Sequence, residues 1–570
     1  MPQRKPLRTL SNNSSPFTRS HAARKLYATQ KRATARAPKT AKRISKAIDI
    51  LDPPRQPPSL DNQYTLRPEI PDTFIPLQHY FSPHEAQPTL SSDPSTPYDV
   101  FSEFWDDTVF ATLVANTNEY AAKMRGPIPP PGHSCLRPWK PATMREMQKF
   151  VAQIIFMGVH GCRSLVEFWR QPAQIGGKER LSLEQFQQIK RYLHIEPVQV
   201  EGRKDSEWWR KLEPLHSILK ERFQRALKPG SDLAVDEMMV RFGGRSKHTY
   251  RMPNKPITQG YRIFALCWKG YTWNWLYTSR AAGIQIPDQQ HYHGSTHLTP
   301  TSIAIHDLIT SLPYHTHQFN VYMDNYFSNI ALFQVLRELR IRVCGTARQN
   351  KNAFPSDIHN DFPGLPWNHL SGAQVGSISN PILALQWEDS GSVHMLSTIH
   401  KMSQYVNRER KKPRTTSTNA ATTRRPFTHG RERAILPIPQ IIDGYNHNMN
   451  GVDRADQLRA SYSTQLKALR NWLPLFFWIL DTSILNAFIL FKFFHLNTTH
   501  RQFRLDLAKS LFKASTNIVT PHIRKTYKQK TQRSTFLSTI IPFSRLPQDL
   551  ITLFTYLQAS VLPVFSVAFH

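Results

Sequence analysis

Cysteine is scarce and acid is outnumbered. Four cysteines, Cys135, Cys162, Cys267 and Cys344, are spread over 570 residues, so neither a C-x-x-C zinc site nor a closely spaced disulfide framework can be built. That usage fits a reducing intracellular compartment. Asp and Glu number 41 against 73 Lys and Arg, a formal net charge of +32, which makes a polyanion, nucleic acid first, the expected partner. The N-terminus, MPQRKPLRTLSNNSSPF, lacks the apolar run of a secretory signal. No segment recurs with a period of about 20 to 50 residues, which excludes a solenoid or propeller.

Long apolar runs are few. Residues 473–494, LPLFFWILDTSILNAFILFKFF, are nearly long enough to span a bilayer, but Asp481, Asn486 and Lys492 interrupt them. A buried core helix, with no membrane partner, is the expectation. The tail LITLFTYLQASVLPVFSVAFH is divided by Gln558 and Pro563 and reads as neither a membrane span nor a core element.

What is present divides the chain. Residues 1–96 are basic and Pro-rich; between Met1 and Lys46 stand thirteen Lys or Arg and no acid, a composition that predicts a disordered arm for nuclear import or DNA contact, with an organelle transit peptide as the alternative. Residues 97–230 carry apolar positions at helical spacing and predict an all-α unit. From Leu233 the period turns to strands, LAVDEMMVRF, YRIFALCWKG and TWNWLYTSR, and residues 231–345 form the first part of a core. Residues 346–440 carry a hairpin around Asp389-Ser390-Gly391 and a basic stretch, 408–433. Helices resume at about Asn450, so 441–495 closes the core and 496–570 is left as an unassigned tail. The fold class is α/β.

Three acids stand at defined places: Asp236 within LAVDEMM, Asp324 ending FNVYMD, and Asp453 opening GVDRADQL. An unpaired carboxylate in a buried strand is costly, so each calls for a cationic partner or a metal; Asp453 also suits a helix N-terminus as a simple capping acid. Asp453 and Asp456 are three apart on one helix face, about 5–6 Å between Cβ atoms. Such hard oxygen ligands suit Mg²⁺ or Mn²⁺, and two ions about 3.5–4 Å apart stabilise both attacking and leaving oxygens in phosphoryl transfer. Carboxylates gathered from distant parts of a basic chain point to chemistry on a phosphodiester. Glu237, on the opposite strand face from Asp236, reads as structural. The histidines of HYHGSTH, 291–297, lack the further ligand a zinc site needs.

The segments AVDEMMVRFGGR, YRMPNKPITQGYRIF, VYMDNYFSNIALFQVL, CGTARQNKNAFP, HMLSTIH and YNHNMNGVDRADQL resemble, in order, the motifs of piggyBac-type DDE transposases over residues 97–492. The resemblance implies an RNase H-like core, a mixed sheet flanked by helices, interrupted by an insertion domain over 346–440. It implies a catalytic set of Asp236, Asp324, Asp453 and Asp456, with the first three holding two Mg²⁺ or Mn²⁺ ions. It further implies metal-dependent nicking, hairpin formation and strand transfer at TTAA by a nuclear homodimer acting on double-stranded DNA. Lys255, Arg262, Arg348 and Lys351 match the family's basic positions and are expected at phosphates; Trp472 resembles a tryptophan near the active-site DNA. Many members end in a cysteine-rich zinc module, but no cysteine follows Cys344, so no zinc module is expected. The alternatives are a domesticated or decayed DNA-binding protein that keeps the fold, and a two-metal nuclease without strand transfer.

Overall fold

A computed structural model of the chain describes residues 67–68, 74–125, 139–161, 165–170, 180–198, 208–284, 296–349, 354–355, 358, 366–376, 380–417, 420–427, 430 and 432–514. The basic arm 1–46, Cys135, Cys162, Lys351, most of 291–297 and the tail from 515 lie outside the described residues.

The helices of the first unit start where the sequence supplies caps. They are α1 (Pro97–Ser102), α2 (Asp107–Arg125), α3 (Met144–His160), α4 (Leu165–Arg170), α5 (Leu183–Tyr192) and α6 (Leu215–Ala226). Thr96 with Asp99, Thr143 with Glu146 and Ser182 with Gln185 form reciprocal capping boxes at α1, α3 and α5, satisfying backbone N–H groups that the first turn leaves free. Gly161, at φ 61°, ends α3 in the left-handed conformation that glycine adopts without strain.

The strand-period segments form one mixed sheet. Its strands are β1 (Arg67–Pro68), β4 (Asp232–Arg241), β5 (Tyr250–Arg251), β6 (Gln259–Trp268), β7 (Tyr271–Ser279), β8 (Gly283–Ile284), β9 (Asn320–Met323), β10 (Arg342–Thr346), β11 (His369–Gly376), β12 (Pro381–Glu388) and β13 (Ser392–Ser397), while β2 (Gln87–Pro88) and β3 (Leu227–Lys228) pair with each other. The order is β1-β11-β12-β13-β10-β9-β4-β6-β7-β8, with β5 on β6. β4, β9 and β10 are parallel neighbours, whereas β4-β6-β7 is an antiparallel meander. Strands β6 and β7 are buried almost throughout, and the polar residues buried with β7 find partners, Asn274 donating to Ser311 Oγ at 2.7 Å. The hairpin expected around Asp389-Ser390-Gly391 is β12–β13. Through β13 on β10 it continues the central sheet, so three strands of the expected insertion belong to the core's own sheet. Of the insertion's strands among the described residues, only β14 (Tyr405–Lys411) and β15 (Arg433–Pro439) pair apart from it.

The remaining helices are α7 (Pro300–Thr310), α8 (Ile330–Glu338), α9 (Ala420–Thr423), α10 (Gln440–Asn448), α11 (Gly451–Ser461), α12 (Leu473–Lys492) and α13 (His500–Ala514). Helix α10 begins ten residues before the expected resumption at Asn450. Helix α12 is long and apolar enough to cross a membrane, with a mean hydropathy of 1.8, but is buried inside the protein. Its polar interruptions have partners: the Asn486 side chain accepts from Thr272 N–H and donates to Thr272 C=O, both at 2.9 Å, and Asp481 is 3.1 Å from the Arg504 guanidinium of α13. Helix α13 packs on α1 and α3, so the part of the chain left unassigned after 496 begins with a helix of the core.

Candidate active site

The parallel pairing of β4 with β9 fixes the first two aspartates. Ala234 is in register with Tyr322 and Val235 with Met323, so Asp236 and Asp324 follow immediately on paired positions of adjacent strands. Asp236 is 7% exposed, and its Oδ1 accepts the Glu237 N–H at 2.7 Å. Asp324 leaves the strand in a turn in which its Oδ1 accepts the Tyr326 N–H at 2.5 Å.

A close approach of backbone brings the third. A Cβ on Gly451, the first residue of α11, would lie 3.0 Å from Cys267 O and 3.3 Å from Ala234 Cβ. Any side chain there would crowd these atoms, and glycine lets α11 sit low on β4 and β6. Ala234 and Asp236 are two apart and share a strand face, so Asp453, in the first turn of α11, comes to the face that carries Asp236.

The charges of Asp324 and Asp453 both bear on Asp236. Burial pushes the Asp236 carboxyl up to about 7, with Asp324 and Asp453 adding to the push; the Glu237 N–H and the Lys255 ammonium oppose it. Burial also raises Asp324, helped by Glu237 and opposed by the Tyr326 N–H, Lys255 and Arg348. Asp453, on the solvent side, is raised by partial desolvation first and then by Asp456 and Asp324, against Lys255. Among the described residues no three His, Cys, Asp or Glu side chains close around one point tightly enough to hold an ion as they stand. The donor set nonetheless fits a hard divalent cation: carboxylate oxygens that raise one another's affinity for positive charge.

The other expected residues divide. Asp456 is drawn to Arg459 at 2.5 Å on its own helix. Lys255 reaches back over the sheet to Glu237 at 3.1 Å, close enough for its charge to be felt by all three aspartates. Arg348 is exposed, its guanidinium carbon 5.3 Å from the centre of the Tyr326 ring. Arg262, in contrast, is 9% exposed. It donates to Thr278 Oγ1 at 3.1 Å and to Tyr326 Oη at 3.2 Å, and its guanidinium lies 4.2 Å from the Tyr250 ring centre. Trp472 is 5% exposed, packed against His194 with Arg470 over its ring. Sequence reasoning missed Tyr445 on α10, whose hydroxyl is 3.3 Å from Thr346 Oγ1. Burial raises its pKa, and the charges of Asp324 and Asp236 add to the shift. Its place in YNHNMNGVD, beside Asp453, was the available signal.

The family description Transposase IS4 matches residues 96–488. The chain belongs to this family, and within it to the piggyBac type. It is 22% identical over 418 residues to PiggyBac transposable element-derived protein 2 of Homo sapiens, covering 71% of this chain and 62% of that protein. It is 20% identical over 435 residues to the human PiggyBac transposable element-derived protein 5, covering 71% and 72%. The chain thus spans just under two thirds of the first of these relatives. Its fold is similar, with a TM-score of 0.59 at 18% identity over 77% of this chain and 86% of the other, to a piggyBac transposase solved by cryo-EM as a synaptic complex with hairpin DNA.

Proposed function

We propose that this piggyBac-type chain is a DNA transposase that nicks DNA, forms hairpin ends and joins strands at TTAA sites, using divalent metal held by Asp236, Asp324 and Asp453. What supports the reading is that these residues, 88 and 129 residues apart in sequence, come to neighbouring positions about one face of the mixed sheet. Mg²⁺ or Mn²⁺ bound there would activate the attacking oxygen and stabilise the leaving one.

The chain's own residues do the rest. Asp236, held by the Glu237 N–H, and Asp324, held by the Tyr326 N–H, present fixed oxygens. Lys255 offsets their charge and stands ready for a phosphate. Arg348, and Lys351 near it in sequence, are proposed phosphate contacts. Arg262 and Trp472, being buried, are proposed to hold the loops that carry such contacts rather than to touch DNA over much of their surface. The basic residues 1–46 support a nuclear location, and the homodimer follows from the family reading alone.

A second reading, a DNA-binding protein that keeps the fold without the chemistry, is favoured by the description of the human relatives as transposable element-derived. The test is Mg²⁺- or Mn²⁺-dependent nicking and hairpin formation on duplex bearing the element's own ends beside TTAA. Binding without a nick in either metal overturns the transposase and leaves the second reading.

A further inference from the structure

Past the end of β4 the chain enters GGRSKHTYR, which none of the roles above uses. It borders an open cavity of about 700 Å³ whose lining includes Arg245, Lys247, Arg251 and Arg280 and no Asp or Glu. The four cations come from two separate pieces of chain, the β4–β6 connection and the end of β7. All four are exposed, and none is ion-paired with a carboxylate among the described residues.

The connection is built rather than loose. The His248 ring stacks on Trp208, centroids 4.8 Å apart at 13°, and its Nδ1 lies 2.7 Å from Ser279 Oγ. Thr249 Oγ1 donates to Ser246 C=O at 3.0 Å. Tyr250, which also lines the cavity, has its ring taken by Arg262. Holding four like charges around one space costs repulsion that an anion would offset. The lining sets four cations against no acid and leaves no free aromatic ring for stacking, so phosphate charge is its main match, with Gln259 the one amide beside it.

We propose that this cavity is a second phosphate-binding site, which seats the backbone of the DNA duplex beside the reacting phosphodiester. The proposal rests on the reading of the chain as a DNA-acting transposase. Asp236 and Gly243 are seven residues apart (243 − 236), at most about 23 Å of extended strand at roughly 3.3 Å per residue. The seated phosphates therefore lie within about seven base steps of the reaction, at about 3.4 Å per step. Arg262 links the two places, touching Tyr250 of the cavity wall and Tyr326 of the Asp324 turn.

The test uses the full chain and a random-sequence duplex of about 30 base pairs, titrated by fluorescence anisotropy between about 50 and 200 mM salt. The Arg245→Gln, Lys247→Gln, Arg251→Gln, Arg280→Gln quadruple variant is expected to flatten the log–log salt slope by about 3 to 4, near 0.9 for each phosphate no longer neutralised. Gln259→Glu, which places one negative charge in the same lining and removes no cation, is expected to weaken duplex binding as well. Wild-type binding and cutting with an unchanged slope in the quadruple variant overturns this site alone. A parallel titration with tripolyphosphate separates the sources: tripolyphosphate bound by the wild type and lost in the quadruple variant, with duplex binding and its salt slope intact, also overturns the site, in favour of a small polyphosphate. Absence of any duplex binding by the wild type overturns both this site and the transposase reading.

Discussion

Asp236 and Asp324 each stand one residue beyond a paired position, Val235 and Met323, on adjacent parallel strands. Two buried or half-buried carboxylates are thus fixed side by side by backbone register rather than by side-chain choice. Asp236→Asn or Asp324→Asn keeps shape while removing a ligand charge. Metal-dependent nicking is expected to fall by at least about 100-fold with duplex affinity retained. In EDTA the Asp236→Asn protein is expected to melt higher than wild type, because a buried charge facing like charges is gone. A lower melting temperature together with intact nicking would remove the site from this position.

The close approach of Gly451 carries the second prediction. Valine there would meet Cys267 O and Ala234 Cβ inside normal contact, lifting the first turn of α11 and Asp453 with it. The expected outcome is a loss of about 1–3 kcal/mol in stability and a disproportionate loss of nicking, measured together by denaturant melts and a cleavage assay. Nicking at the wild-type rate would show that the height of α11 does not set the site.

Much of this was legible because the pattern was strong. The alternating and continuous apolar runs of 233–279 announced β4, β6 and β7, and Asp236 and Asp324 could be read as acids inside or ending strands. What stayed hidden depended on contacts remote in sequence. Arg262 reads as a surface cation until Tyr326, 64 residues on, takes one of its donors. Lys255 reads as a phosphate contact, and only the folding back of its loop reveals Glu237 as its partner. Helix α10 was missed because it starts behind Pro439 without a side-chain cap, so no local signal marks its beginning. The strands of 369–397 looked like a separate insertion because sequence cannot show that β13 hydrogen-bonds to β10.

Acid should unfold this protein through its histidines. Burial lowers His194 and His400 to about 4, with nearby cations adding to the effect, and burial drives His216 and His500 well below their usual value. Groups with a depressed cationic pKa stay neutral in the fold while the unfolded chain takes up protons below about 6.5. The histidine contribution to stability is therefore expected to be full above that pH and to fall as pH drops from about 6.5 towards 4, opposed in part by Asp236, whose raised carboxyl takes up its proton in the fold over the same window. His400→Gln should flatten part of this slope in melts at pH steps across that window; an unchanged slope would assign the acid sensitivity to other groups.

Asp456 separates structural from chemical roles on α11. Its carboxylate engages Arg459, whose side chain is only 5% exposed, so Asp456→Ala leaves a buried guanidinium short of a partner. The expected result is a stability loss of about 1–3 kcal/mol, with nicking by the folded fraction reduced less than in Asp453→Asn. Equal loss in both variants, at matched folded fraction, would place Asp456 among the metal-holding carboxylates.

The ion pair inside the helical core allows a sharper test, because both partners are almost fully buried. Asp481 and Arg504 have side chains 1% and 0% exposed and lie 3.1 Å apart, and Asp481 also accepts the Thr464 N–H at 3.0 Å. Removing one charge strands the other in an apolar surround, so Asp481→Leu is expected to cost about 3–5 kcal/mol. Replacing both, Asp481→Leu with Arg504→Met, removes the stranded charge and should recover most of that loss. The Thr464 N–H and the Tyr462 C=O, to which Arg504 also donates, would then lack their partners, so recovery should stop about 1–3 kcal/mol short of wild type. Urea melts of the two single variants and the double complete the cycle. If the double variant is as unstable as the sum of the singles, the pair contributes no coupling, and α13 is held to α12 by its apolar face alone.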